Sequence, residues 1–320
     1  MGILTHSDYN PTPTTGALHS GVTAKVWTGD LDGVTQYGVA AYPTAAGAVP
    51  YLMICRGGTD GSNSSLSKAR VEGNAAASPQ SNGVDICPTG LAAPPSWDDS
   101  AAGGPSGYVV NLPDLREGNG GATESAGSGT DELGGADLED TAQAWWAALE
   151  LYSSRMNMGK TGMWGESRGA INALGAMAYK GITPTVCVLR APLLNIYDWD
   201  AMTTATRTSV IAPLDELGFG GASTDTRAEL SASDVAMLKK RSPNQYLDLL
   251  PTTTKYLVVW GEDDTTIPRE WCEAFVAGMR ARGAVASMAV IREGVHAITD
   301  TLASELAFFT IRRFLASELA

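Results

Sequence analysis

Histidine is scarce in this chain: His6, His19 and His296 are the only three among 320 residues. Cysteine is almost as rare, with four residues (Cys55, Cys87, Cys187 and Cys272) and no CxxC pair. Such sparse, scattered ligands do not assemble a zinc or iron set. Three of the cysteines, Cys55, Cys187 and Cys272, sit in apolar runs, which predicts buried free thiols rather than disulfides. Basic residues are outnumbered, 22 against 35 acidic, for a net charge of −13. Nucleic acid, whose phosphates need stripes of Lys and Arg, is therefore not an expected partner. No apolar run is long enough to span a bilayer and no polybasic block marks a membrane surface. The opening segment MGILTHSDYNPTPTTG lacks a basic start followed by an apolar stretch. A cytoplasmic location is the default expectation. The acid pairs Asp98-Asp99 and Asp137 to Asp140 have no calcium-loop spacing, and no glycine pattern of the nucleotide-binding kind lies between a strand and a helix. No metal and no cofactor is expected.

What the chain does have is a large apolar content, 44%, enough for the core of one large domain over residues 1–320. Short apolar runs alternate with helix-like stretches, the pattern of a mostly parallel sheet flanked by helices. Strands are expected from Val22 and from Val34 as an antiparallel start, then over Val49–Gly58, Gly107–Arg116, KTGMWG, TVCVLRAPL, Lys255–Gly261 and VASMAVIRE. Helices are expected over Asp137–Ser154, with Trp145 and Trp146 as packing residues, over RGAINALGAMAYKG, over PREWCEAFVAGMRARG, and from about Asp300 onward. Two regions break the rhythm. Residues 59–106 are a long Gly-, Ser- and Pro-rich excursion, and residues 195–250 form an insertion between two strands, the place for a lid.

The segment MWGESRGAINALG, from Met163, contains Gly165-Glu166-Ser167-Arg168-Gly169, a Gly-x-Ser-x-Gly pattern. It falls between a predicted strand and a predicted helix. There a sharp turn needs flanking glycines and lifts a serine hydroxyl above the sheet, at a helix end that favours negative charge. The competing reading is a serine that caps the helix. A nucleophilic serine needs a base, and two of the three histidines precede the first predicted strand. His296 lies just after the last strand, at the sheet edge that Ser167 occupies. The base needs an orienting carboxylate, and Glu262, Asp263 and Asp264 follow the preceding strand. The chain order Ser, Asp, His at three strand ends suits nucleophilic acyl transfer. An oxyanion hole would use the backbone N–H of Arg168 and a second donor from Gly57, Gly58 or Thr59, with Gly58 the preferred one.

With these residues in view the sequence resembles the α/β-hydrolase superfamily, in particular the catalytic domain of prolyl-oligopeptidase-like serine hydrolases. WGESRGAINAL is similar to that group's nucleophile segment. NLPDLREGNGG, RAPLLNIYDWD, RSPNQYLDLLPTTTKYLVVWGEDDTTIP and EGVHAI resemble its later segments, over roughly residues 45–318. The resemblance implies an α/β-hydrolase fold and a Ser167–His296–Asp264 triad, with Asp263 as the alternative acid. It implies an acyl-enzyme mechanism that needs no cofactor. The pattern departs from the family at Arg56-Gly57-Gly58, where His-Gly-Gly is frequent, and at Ala170, where a second glycine is frequent. The propeller of the large oligopeptidases has no counterpart in this sequence, so peptidase activity does not carry over. A serine hydrolase of carboxylic esters is the expectation, with a small peptidase or amidase, or a non-catalytic binding protein on the same fold, as alternatives. The substrate would be a small ester or a short peptide.

Overall fold

The computed structural model describes residues 4–8, 22–31, 34–44, 47–55, 107–113, 132–215, 217–296 and 301–320. Among the described residues nine strands form one sheet. Four strands occupy the amino-terminal part: β1 (Thr5–Asp8), β2 (Val22–Leu31), β3 (Val34–Pro43) and β4 (Val49–Cys55). Then follow β5 (Val109–Pro113), helix α1 (Asp137–Tyr152), β6 (Met156–Glu166), α2 (Gly169–Lys180) and β7 (Val186–Arg190). Helices α3 (Thr204–Asp215) and α4 (Ala232–Lys240) lie in the next connection. The chain closes with β8 (Lys255–Gly261), α5 (Arg269–Ala281), β9 (Ala286–Ile291) and α6 (Thr301–Leu319).

The strand order is β1-β2-β3-β5-β4-β6-β7-β8-β9. Strands β1, β2, β3 and β5 pair antiparallel, whereas β5, β4, β6, β7, β8 and β9 run parallel to one another. The sheet is thus mostly parallel and lies between helices, as expected. Two expectations are corrected. His6 does not precede the first strand, because Thr5–Asp8 is itself a strand, with His6 opposite Trp27. Only one of the two adjacent tryptophans of α1 packs inside: Trp145 is buried against the Tyr51 ring, 4.8 Å between centroids, whereas Trp146 is 48% exposed.

The continuous apolar runs of the parallel strands follow from burial on both faces. Alternate residues point to opposite sides of the sheet, and the core divides accordingly. Tyr51, Met53, Cys187 and Leu189 join one cluster together with residues of α1, α2 and α5. Leu52, Ile54, Val186 and Val188 join the other, covered by Ala303, Ala307, Ile311, Leu315 and Leu319 of α6. That four-residue spacing keeps one stripe of α6 against the sheet.

Residues 195–250 carry α3, α4 and several single turns of 3₁₀ helix. Trp199, Met202, Val210, Leu214, Phe219 and Leu238 of this segment are buried in the same cluster as β4 and α2. Polar anchors fasten it at its ends: Asp198 Oδ2 accepts from Trp271 Nε1 at 3.0 Å, and Asn244 Nδ2 donates to the Trp271 carbonyl at 3.0 Å. Residues 59–106 lie outside the described residues.

Candidate active site

Because β4, β6, β7, β8 and β9 are parallel, their carboxyl ends share one edge of the sheet. Consecutive crossovers pass to opposite sides of β4, since β5 and β6 flank it. Such a reversal of strand order leaves a crevice where ligands bind in α/β sheets. Ser167 follows β6, Asp264 follows β8 and His296 follows β9, so topology brings all three to this edge.

The turn at Ser167 is strained. Its φ of 49° is left-handed and unfavourable for a residue with a side chain. A Cβ on Gly165 would lie 2.6 Å from Ala170 Cα and 2.9 Å from Gly169 O, so only glycine permits the chain to double back so tightly. The turn is held from β7: Ser167 N donates to Arg190 O at 2.9 Å, and Leu193 N donates to Ser167 O at 2.9 Å. Ala191, between these two, also has a positive φ, 41°. The helix-cap reading of Ser167 fails. The cap position of α2 belongs to Arg168, with no side-chain cap bond, and the serine hydroxyl turns elsewhere.

It turns to the histidine. Ser167 Oγ lies 3.1 Å from His296 Nε2, and His296 Nδ1 lies 3.0 Å from Asp264 Oδ2. The Asp264 side chain is fully buried while that of His296 is 29% exposed, so the carboxylate is withdrawn behind an imidazole that still reaches solvent. Asp264 Oδ1 accepts from the backbone N–H groups of Thr266 at 2.8 Å and Ile267 at 2.9 Å. With both oxygens engaged, the carboxylate is fixed in its orientation. Asp263, the alternative acid, is exposed and is joined to the histidine loop only through its backbone, its N–H donating to Gly294 O at 2.9 Å. The structure brings Ser167, His296 and Asp264 together and leaves Asp263 outside.

A deprotonated Asp264 can only accept, so His296 Nδ1 donates to it. The neutral imidazole then has Nε2 as an acceptor, and the Ser167 hydroxyl donates to it. Arg168, the expected first oxyanion donor, directly follows the nucleophile and stands at the amino end of α2. Arg56, Gly57, Gly58 and Thr59 lie outside the described residues, as does His19. The buried thiols are poor rival nucleophiles: burial pushes Cys55, at the end of β4, up to about 12 and raises Cys187 and Cys272 as well. Asp137, weighed above for calcium, instead accepts from the N–H groups of Glu132 and Gly134 and from Arg168.

Reasoning from the sequence missed two buried ion pairs beside the nucleophile turn. Arg168 Nη2 lies 3.3 Å from Asp137 Oδ2, with side chains 2% and 1% exposed, and Arg190 Nη1 lies 3.9 Å from Glu166 Oε2. The available signal was the two opposite charges flanking the serine in Gly-Glu-Ser-Arg-Gly, at a place that the strand-to-helix context buries.

Residues 104–319 match the model of the prolyl oligopeptidase family. Among solved structures, the chain superposes on a Mycobacterium tuberculosis puromycin-hydrolyzing peptidase with TM-score 0.64 and 14% identity, over 93% of this chain and 40% of that one. It superposes on an S-formylglutathione hydrolase from Agrobacterium tumefaciens with TM-score 0.58 and 11% identity, over 98% and 99% of the two chains. For carboxyl esterase 2 from the mycorrhizal fungus Tuber melanosporum the values are TM-score 0.59, 18% identity, and 95% and 90%. The chain thus spans about 40% of the length of the puromycin-hydrolyzing peptidase. No curated protein matches the sequence. The fold is that of the α/β-hydrolases.

Proposed function

The chain belongs to the prolyl oligopeptidase family, and from that premise we propose that it is a serine hydrolase cleaving carboxylic esters through an acyl-enzyme. The observation that carries this reading is the continuous hydrogen-bonded line from Ser167 Oγ through His296 to the buried Asp264. Ser167 attacks the acyl carbonyl while His296 Nε2 takes its proton. Asp264 holds the ring and stabilises the imidazolium that forms. The tetrahedral oxyanion is received by the backbone N–H of Arg168 and by that of Gly58. The protonated His296 then gives its proton to the leaving alcohol. A water, deprotonated by the same nitrogen, releases the acid and restores Ser167. Residues 195–250 act as the cap that shapes the acyl site.

Two neighbours in fold are named as a carboxyl esterase and as an S-formylglutathione hydrolase. Those names support the ester reading. The family name itself supports the second reading, a small peptidase or amidase using the same three residues.

Fluorophosphonate labelling, read by intact mass, tests the reading, with Ser167→Ala as control. One adduct on the wild type and none on the folded variant is the expected result. Short and medium p-nitrophenyl esters are then compared with peptide anilides, and faster turnover of the anilides would transfer the assignment to the peptidase reading. A folded wild type that takes no label even at high reagent excess would overturn both.

A further inference from the structure

The residue after the nucleophile is an arginine whose side chain is 2% exposed and paired with an equally buried aspartate. Buried ion pairs contribute little net stability compared with apolar residues of the same shape, because desolvation offsets the attraction. The pair therefore asks for an account other than stability. Its geometry offers one. Asp137 is the first residue of α1 and Arg168 the cap residue of α2, so the contact joins the starts of two neighbouring helices. The same carboxylate also gathers the preceding loop: Oδ1 accepts from Glu132 N at 3.0 Å and Oδ2 from Gly134 N at 3.2 Å.

That loop rests directly on the first turn of α2. Gly134, at φ 87°, lies so close that a Cβ there would meet Ile171 Cγ2 at 2.5 Å. On its other side the loop is held by residues 195–250, where Arg241 Nε donates to Glu132 O at 2.8 Å. The amino end of α2 is thus clamped by one carboxylate against a loop that the cap segment also grips.

We propose that Asp137 is a positioning residue for the hydrolysis: through Arg168 it fixes the first turn of α2, and with it the aim of the Arg168 backbone N–H at the oxyanion. The inference rests on the serine-hydrolase reading above. A donor that is misaimed weakens only what the transition state needs, so its loss lowers kcat rather than substrate binding.

The test compares wild type with Asp137→Asn, Arg168→Met and the neutral double variant Asp137→Asn/Arg168→Gln. Each is assayed for kcat and KM on p-nitrophenyl acetate, affinity for phenylboronic acid as a tetrahedral adduct on Ser167, and thermal midpoint. Asp137→Asn is expected to lower kcat about 10- to 100-fold with KM within about twofold, and to weaken the boronic acid in proportion. Should Asp137→Asn fail to fold, Arg168→Met leaves Asp137 its two backbone donors and is expected to show the same split. A lowered midpoint with kcat and boronic acid affinity within twofold of wild type would make the pair merely structural and overturn the proposal. The two readings fail separately. A wild type that takes no fluorophosphonate removes the hydrolase and the positioning role together, whereas a reactive wild type with an equally reactive Asp137→Asn removes only the latter.

Discussion

Gly261 and Gly294 meet backbone to backbone. A Cβ on Gly261 would fall 2.6 Å from the carbonyl carbon of Gly294 and 2.9 Å from Val295 O. The acid loop and the histidine loop therefore cross without a side chain between them, and Glu262 N and Asp263 N donate across the crossing to Ile291 O and Gly294 O at 2.8 and 2.9 Å. Asp264 lies three residues beyond one glycine and His296 two beyond the other, so this contact sets their separation.

Gly261→Ala is accordingly expected to push the two loops apart and lower kcat/KM on p-nitrophenyl acetate by about 100-fold, as misplacement by an ångström does elsewhere. Val285, an exposed residue away from this crossing, supplies the control: Val285→Ala leaves kcat/KM within twofold. An active Gly261→Ala would show that the loops can yield without cost.

The two neighbouring acids separate cleanly. Asp264→Asn removes the acceptor that orients His296 and is expected to lower kcat by about 10³- to 10⁴-fold. Asp263→Asn, at an exposed position, is expected to stay within threefold. The reverse ranking would assign the acid to Asp263.

The strained turn makes a stability prediction free of catalysis. Ser167→Ala and Ser167→Gly both lose the hydroxyl bonded to His296, but only glycine accepts a φ of 49° without steric cost. Ser167→Gly should be the more stable of the two by about 0.5–1 kcal/mol, the left-handed penalty less the added entropy of glycine. Urea midpoints of the two variants decide it, and a more stable Ser167→Ala would mean that the turn relaxes once the hydroxyl is gone.

Burial raises the thiol of Cys55 from 9.0 to about 12, and raises Cys187 and Cys272 in the same direction. In the unfolded chain these thiols ionise near pH 9, whereas the native ones stay protonated, so above that pH the unfolded state holds fewer protons and gains. Stability is expected to be unaffected by the thiols below about pH 9 and to fall above it, by at most about 1.4 kcal/mol per thiol per pH unit. Urea unfolding at pH 8, 9 and 10.5 reads the slope, and Cys55→Val should flatten it. A slope that Cys55→Val does not change would show that this thiol ionises as readily in the folded protein.

Much of this molecule was legible in local pattern. Buried strands such as Lys255–Gly261 announce themselves because burial on both faces requires an unbroken apolar run. The helix Gly169–Lys180 ends where Gly181 takes φ 71°, a conformation that glycine adopts without steric cost. Gly165-x-Ser167-x-Gly169, the scarcity of histidine and the acids after β8 were enough to nominate three residues, since chemistry of this kind confines each role to a few side-chain types.

The order of the strands was decided only in three dimensions. The place of β5 between β3 and β4 leaves no local trace, nor does the short β1, whose four residues are too few to show a period. The resemblance preferred Asp264 to Asp263, but side-chain chemistry could not separate them, because the two are identical in type and differ in which one the turn buries. The same holds for Gly261 against Gly294 and for Asp137 against Arg168. A sequence records what each residue can do, but contacts between residues 31 or 33 positions apart exist only once the sheet has brought the strand ends to one edge.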